Sequence, residues 1–249
     1  MIIPGMTYQE LITEVSKDSD KIFDIIFREV LSIRKPKELR DRYPDGKTLK
    51  TVTYKSKVTG NQYFIQPKAK YDPTQKISKL AGTGNVFVRS FDSRGGQVWI
   101  KVPVVSKKFM DALIASEDQE KLRLARSSNM FEAYIYTPHF LRRYNERFLH
   151  RADLEDNLQS VLEIYLSRNS TRICNHVSGK WEHETEDRLG YETRVQDGVE
   201  LGMIIGDWIF QSNTFISDEM LREDQEWLGK TGEVWKKYLE ITEARNSYI

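Results

Sequence analysis

The chain of 249 residues is 39% apolar, 30% charged and 11% aromatic, with a formal net charge of +1; this excludes a disordered or fibrous chain and leaves room for one large domain or two modest ones. No apolar run approaches the roughly 18 residues needed to cross a bilayer, and Met1-Ile2-Ile3-Pro4-Gly5-Met6 lacks the basic start and apolar core of an export leader, so a cytoplasmic protein with no membrane partner is expected. Cys174 is the single cysteine, which excludes an internal disulfide framework and a thiolate metal cluster within one chain.

Residues 7–16 and 19–34 are predicted helices, because Ile22, Phe23, Ile26, Phe27, Val30 and Ile33 recur at three- and four-residue steps. Ser19 or Asp20 is the expected cap of the second helix. Pro36 and Pro44 then break the pattern. Thr51-Val52-Thr53-Tyr54 and Gln62-Tyr63-Phe64-Ile65 flank Thr59-Gly60-Asn61 as a first hairpin. A second hairpin pairs Val86-Phe87-Val88 with Val98-Trp99-Ile100 across residues 92–96, with Val104-Val105 as a continuation of the sheet. Pro67 to Asn85, between the hairpins, shows little apolar periodicity and reads as a long connection carrying Lys68, Lys70, Lys76 and Lys79. A connection of that length suits a binding or mobile segment, and the four lysines are candidate anion-binding residues. Residues 106–126 are predicted helical through Phe109, Met110, Leu113, Ile114, Leu122 and Ala125, and Ser127-Ser128-Asn129 marks the expected boundary between domains 1–126 and 127–249.

After the boundary, Phe131 to Tyr136 reads as a strand, Thr137 as an N-cap and Pro138 as the first residue of a helix running to about Phe148. A second helix over 153–167 carries Leu154, Leu158, Val161, Leu162, Tyr165 and Leu166 on one face. Strands are predicted at 171–177, 190–196, 199–205 and 208–216, and helices near 218–228 and 231–245. The fold class expected is therefore α+β: N-terminal helices and β-hairpins first, then an antiparallel meander packed by helices.

Charge is unevenly spread along these elements. Residues 1–33 hold 3 basic and 6 acidic side chains, residues 34–126 hold 21 and 9, and residues 127–249 hold 14 and 22. The basic middle either attracts phosphate or faces the acidic last third. A nucleic-acid- or protein-binding module using residues 34–108 is one reading, with RNA, or a protein held through the basic or acidic surfaces, as partner.

The other reading starts from Thr137-Pro138-His139-Phe140-Leu141-Arg142-Arg143-Tyr144-Asn145-Glu146-Arg147. A regular helix sets His139, Arg143 and Arg147 on one face, with Arg142 and Glu146 alongside, so Arg142 joins the candidate anion-binding residues. Imidazole moves protons near neutral pH, and guanidinium stabilises charge on an oxyanion. The same side chains also make an ordinary solvated helix with a Glu146 pair to Arg142 or Arg143.

Thr-Pro-His-x3-Arg-x3-Arg after a strand, followed by a second helix and a meander ending in Asn213-Thr214-Phe215-Ile216, resembles the metal-independent ribonuclease fold of RelE-type, barnase-like and colicin-D-like toxins over residues 130–217. The resemblance implies RNA cleavage, or an inactive relative of such a nuclease, without a cofactor. It casts His139 as acid or base, Arg143 and Arg147 as phosphate stabilisers, and Thr214 as a supporting hydrogen-bonding group.

Other chemistry-bearing residues fit bland roles. His176 and His183, among Glu182, Glu184, Glu186 and Asp187, match no established metal spacing and suit a solvated hairpin. His150 suits a helix C-terminus, and Cys174 a small buried strand residue.

Overall fold

The computed structural model describes residues 1–75, 79–104, 132–169, 172–177, 189–206 and 209–220. Contacts divide the chain into two units, Met1–Ile135 with Asp207–Ile209, and Tyr136–Gly206 with Phe210–Ile249. The expected boundary at 127–129 and the helix over 106–126 lie outside the described residues. Among the described residues no helix is long and apolar enough to cross a membrane.

In the first unit, α1 (Tyr8–Ser16) opens with a capping box between Thr7 and Glu10, and α2 (Ser19–Leu31) buries Ile22, Ile25, Ile26 and Val30. Each such aliphatic side chain contributes about 1.5–3 kcal/mol when fully buried. The residue at the N-cap of α2 is Asp18, rather than Ser19 or Asp20, and its carboxylate does not cap the helix. It accepts instead from the hydroxyls of Ser56, Thr59 (2.6 Å) and Tyr63 (3.0 Å). The carboxylate thereby fastens the turn of the first hairpin to the α1–α2 corner. Burial, and then the Asp18 charge, push the Tyr63 phenol well above its ordinary range.

A third helix, α3 (Pro36–Arg42), starts at the first of the expected breaks: Pro36 takes the first helical turn, where its missing N–H costs nothing. The strands that follow are β1 (Lys47–Thr48), β2 (Val52–Lys55), β3 (Gln62–Tyr71), β4 (Leu80–Phe91), β5 (Gln97–Lys101) and β6 (Ala133–Tyr136), in the order β1-β3-β4-β5-β6 with β2 also on β3. Both expected hairpins form, with Val52 opposite Ile65 and Val88 opposite Ile100. β5 stops short of Val104, where Pro103 offers no donor to the ladder.

The long connection expected over Pro67–Asn85 is instead mostly ladder. β3 and β4 pair from Tyr63↔Val88 to Tyr71↔Leu80, so the connection shrinks to residues 72–79. Glycine explains both the strand and why its pattern is hard to read. A Cβ on Gly82 would lie 3.2 Å from Val30 Cγ2, and one on Gly84 would lie 2.9 Å from the Gln66 carbonyl and 3.4 Å from Ile26 Cδ1. Helix α2 therefore rests on bare backbone at the positions that would otherwise signal a strand.

In the second unit, α4 (Pro138–Tyr144) runs into a wider turn, Asn145–Leu149, closed by an i→i+5 bond from His150 N–H to Asn145 C=O (2.7 Å). His150 closes it in the left-handed region at φ 53° and is exposed. A short 3₁₀ turn at Ala152–Leu154 precedes α5 (Leu158–Arg168), which Asn157 caps through Ser160 N–H (3.1 Å), so that helix begins five residues later than the apolar pattern suggests. The strands β7 (Ile173–Val177), β8 (Leu189–Val195), β9 (Gly198–Gly206) and β10 (Ile209–Ile216) form the expected antiparallel meander, ordered β10-β9-β8-β7. Phe140, Tyr144, Tyr165 and Phe215 meet edge to face at centroid distances of 4.9–6.4 Å, fixing α4 and α5 on the sheet. Asp218–Met220 forms a 3₁₀ turn, and the helices expected beyond it lie outside the described residues.

Candidate functional site

The helix opening behaves as its sequence demands. Thr137 Oγ1 accepts from Phe140 N–H (3.2 Å) as an N-cap and donates to the Ser212 carbonyl (3.1 Å), which ties the start of α4 to β10. His139 and Arg142 are exposed on this helix. Neither side chain has a hydrogen-bond partner among the described residues. Arg143 is occupied by Glu146 (2.7 Å) in a pair open to solvent. Arg147 donates to the Phe215 carbonyl (2.5 Å), beside Thr214, which is half-buried.

The expected single face is thus interrupted. Arg147 lies in the wide turn rather than on the regular repeat that carries His139 and Arg143, because the i→i+4 ladder ends at Tyr144. Arg143 and Arg147 still sense one another: burial first, then the neighbouring Arg143 charge, lower the affinity of Arg147 for its proton. On β10, Ser212 and Phe215 both meet groups under the helices although they stand three residues apart. Strict alternation is broken at Asn213-Thr214 between them, so the orientation of Thr214 does not follow from period two.

Below the helices lies a cluster that the sequence reading missed. Glu200, 0% exposed, pairs with Arg172, 3% exposed, at 3.0 Å. Its carboxylate also accepts from the hydroxyls of Tyr191 (2.5 Å), Ser212 (2.5 Å) and Tyr165. Arg172 donates to Tyr136 Oη (2.5 Å). Burial raises the Glu200 carboxyl's proton affinity, but the Arg172 charge and the three hydroxyl donors outweigh it and hold the group below the usual carboxylate range. Burial, then Glu200, push Tyr165 and Tyr191 far up, so both remain neutral donors. A second buried carboxylate, Asp197, accepts from Tyr144 (2.6 Å), from Arg168 through two bonds of 2.8 Å, and from Asn169 (3.0 Å). Every partner of these two carboxylates is a protein group that fits it, which makes both clusters structural ties between helix and sheet. Glu200, on β9, and Arg172, just before β7, are 28 residues apart, and no local pattern announces such a pairing.

Of the lysines singled out from the sequence, Lys68 and Lys70 lie on β3 and Lys79 lies just before β4. Lys68 and Lys70 share one face by strand alternation, opposite Thr83 and Ala81. Lys68 is half-buried, and burial, reinforced by Lys70 and opposed by Asp45, lowers its proton affinity. Lys79 sits at the tip with φ 56° and donates to the Pro73 carbonyl (2.9 Å). Lys76 lies outside the described residues.

A different part of the basic segment forms a cleft of about 360 Å³ between α3 and β1. Arg34, Lys35, Arg42 and Lys47 supply its cationic wall. Its remaining lining comes from Ile33, Leu39 and Leu49, together with Tyr43 and a single acid, Glu38. Glu38 is matched by Lys35 at 2.7 Å. Arg34 and Arg42 have no carboxylate within ion-pair distance among the described residues. Lys47 Nζ stands over the Tyr43 ring, 5.3 Å from its centroid, and Tyr43 is 41% exposed. The density of Arg and Lys over residues 34–50 is visible in the sequence; the cleft is not, because it depends on reading Pro36 as a helix start.

Among the described residues no three His, Cys, Asp or Glu side chains gather as metal ligands. His176 lies on β7 opposite Tyr191, while His183 and its acidic neighbours fall outside the described residues. Compared with known proteins, the chain matches no family model, no curated protein and no solved structure.

Proposed function

We propose that this protein is a non-catalytic binding module that holds nucleic acid through the basic surface of its first unit. The observation that carries the reading is the α3–β1 cleft, where Arg34, Arg42 and Lys47 face solvent and the one acid is already matched by Lys35. An excess of cations around a concave surface attracts phosphate and releases its condensed counterions on binding. If three or four phosphates are neutralised, affinity for a single strand falls roughly 20- to 50-fold as salt rises from about 50 to 200 mM. The test measures binding of a labelled oligonucleotide across that range; a flat salt response, or no binding at low salt, overturns the reading.

The second reading is a metal-independent, toxin-like ribonuclease centred on His139, with Arg143, Arg147 and Thr214 in support. It is favoured by the exposure of His139 on the first turn of α4 and by the closeness of Arg147 to the strand that carries Thr214. It asks more of the molecule, since Arg143 must leave Glu146, and Arg147 must leave the Phe215 carbonyl, to hold a phosphate. RNA incubated with purified protein in excess chelator decides it: cleavage that His139→Ala abolishes supports this reading, and cleavage equal in parent and variant reveals a contaminant.

A further inference from the structure

We infer that the α3–β1 cleft selects single-stranded nucleic acid by receiving one unpaired base. This rests on the reading of the first unit as a nucleic-acid-binding module and adds the form of ligand it takes. A purely electrostatic surface needs only cations. This cleft also has an apolar lining from Ile33, Leu39 and Leu49, of which Leu39 is 5% exposed, and a half-open aromatic ring, Tyr43. Its volume of about 360 Å³ lies within the range usual for small-molecule sites.

That combination of chemistry matches one nucleotide. A base offers a flat π-face to an aromatic ring and apolar wall, and the phosphates on either side of it meet the guanidinium groups of Arg34 and Arg42. Lys47 Nζ stands over the Tyr43 ring at 5.3 Å, a cation–π contact that a stacking base displaces, freeing the ammonium for a flanking phosphate. Glu38, held by Lys35 at the rim, is the one acceptor of full charge available to an exocyclic amino group. A paired base keeps its faces inside the stack and reaches Tyr43 only after unpairing. The cleft therefore discriminates against duplex, although duplex carries the denser charge and a bare cationic surface would prefer it.

The experiment compares a short single strand, the same sequence as a duplex, and inorganic polyphosphate, each titrated against the intact protein and against Tyr43→Ala and Tyr43→Phe. Tyr43 is exposed, and circular dichroism establishes that both variants fold. The expected result is a preference of about tenfold or more for the single strand, lost in Tyr43→Ala, retained in Tyr43→Phe and absent for polyphosphate. Equal binding of all three ligands with no effect of Tyr43→Ala overturns base insertion and leaves the basic-surface reading intact. Failure of every ligand to bind at low salt overturns the basic-surface reading itself, and base insertion with it.

Discussion

Glu200 and Arg172 meet inside the second unit, 0% and 3% exposed, whereas Arg34, Arg42 and Lys47 in the first unit face solvent across an open cleft. The same kinds of side chain thus meet opposite fates. In the interior, the carboxylate has a countercharge and hydroxyl donors and the guanidinium donates to a tyrosine oxygen, so the desolvation cost is offset within the molecule. At the cleft, little is desolvated and four cations share the single acid Glu38, which Lys35 pairs and Arg42 senses, so the excess positive charge is available to something from outside. The difference separates a charge that holds the fold from one that serves recognition, and each can be tested by removing it.

The largest expected effect is on the buried pair. Glu200→Gln leaves Arg172 buried without its countercharge and should cost about 3–5 kcal/mol, read from the midpoint of urea unfolding. Replacing both by leucine should cost less than this single change; an equal or greater loss would mean that the hydroxyl donors, rather than the ion pair, carry the cluster.

Acid should reach the same pair. Because the folded state holds Glu200 below its ordinary value, its contribution is complete above the unfolded value of about 4.3 and is lost as pH falls through the lower folded value. Unfolding followed from neutral pH down to about pH 3 should show stability dropping in that window, and the drop should be shallower in Glu200→Gln.

Tyr144→Phe is a milder probe of the second buried carboxylate. It removes one of the hydrogen bonds to Asp197 while Arg168 and Asn169 stay in place, and the expected loss is about 1.5 kcal/mol, measurable by thermal unfolding. No loss would show that Arg168 alone satisfies Asp197.

The smallest stability effect belongs to the cleft. Arg42→Ala should stay within about 0.5 kcal/mol of the parent, yet weaken oligonucleotide binding and reduce the salt slope by about 0.7, one phosphate's worth for a single strand. A large loss of stability there would erase the contrast between the two regions.

Particular residues show how far sequence reasoning reaches. The junction Tyr136-Thr137-Pro138 was legible because capping chemistry and the proline restriction act within a few residues, and Thr137 does cap α4. The meander was legible from its alternation and its Gln196-Asp197-Gly198 turn. The β3–β4 extension was hidden because tertiary packing overrides propensity there: Gly82 and Gly84 serve the approach of α2 and give no strand signal. The cap is expected at Ser19 or Asp20; Asp18 takes that place, and its carboxylate finds partners about forty residues away in Ser56, Thr59 and Tyr63, which no local pattern announces. At the candidate sites, the sequence offers exposed-type side chains such as His139 and the run of cations from Arg34, but concavity depends on elements far apart in the chain. The Glu200 cluster was invisible for that reason.

The wide turn at Asn145–Leu149 makes α4 sensitive to the chain's length as well as its composition. An i→i+5 turn accommodates one residue more than a regular turn does, so residues after Tyr144 sit out of phase with those before it. In this turn Arg147 reaches the Phe215 carbonyl, and Phe148 stacks on Tyr144. Deleting one residue in this turn would let the regular winding continue and draw the cation away from β10. A one-residue deletion here would therefore change whether residue 147 braces the sheet or joins the His139 row, with no change in the side chains themselves.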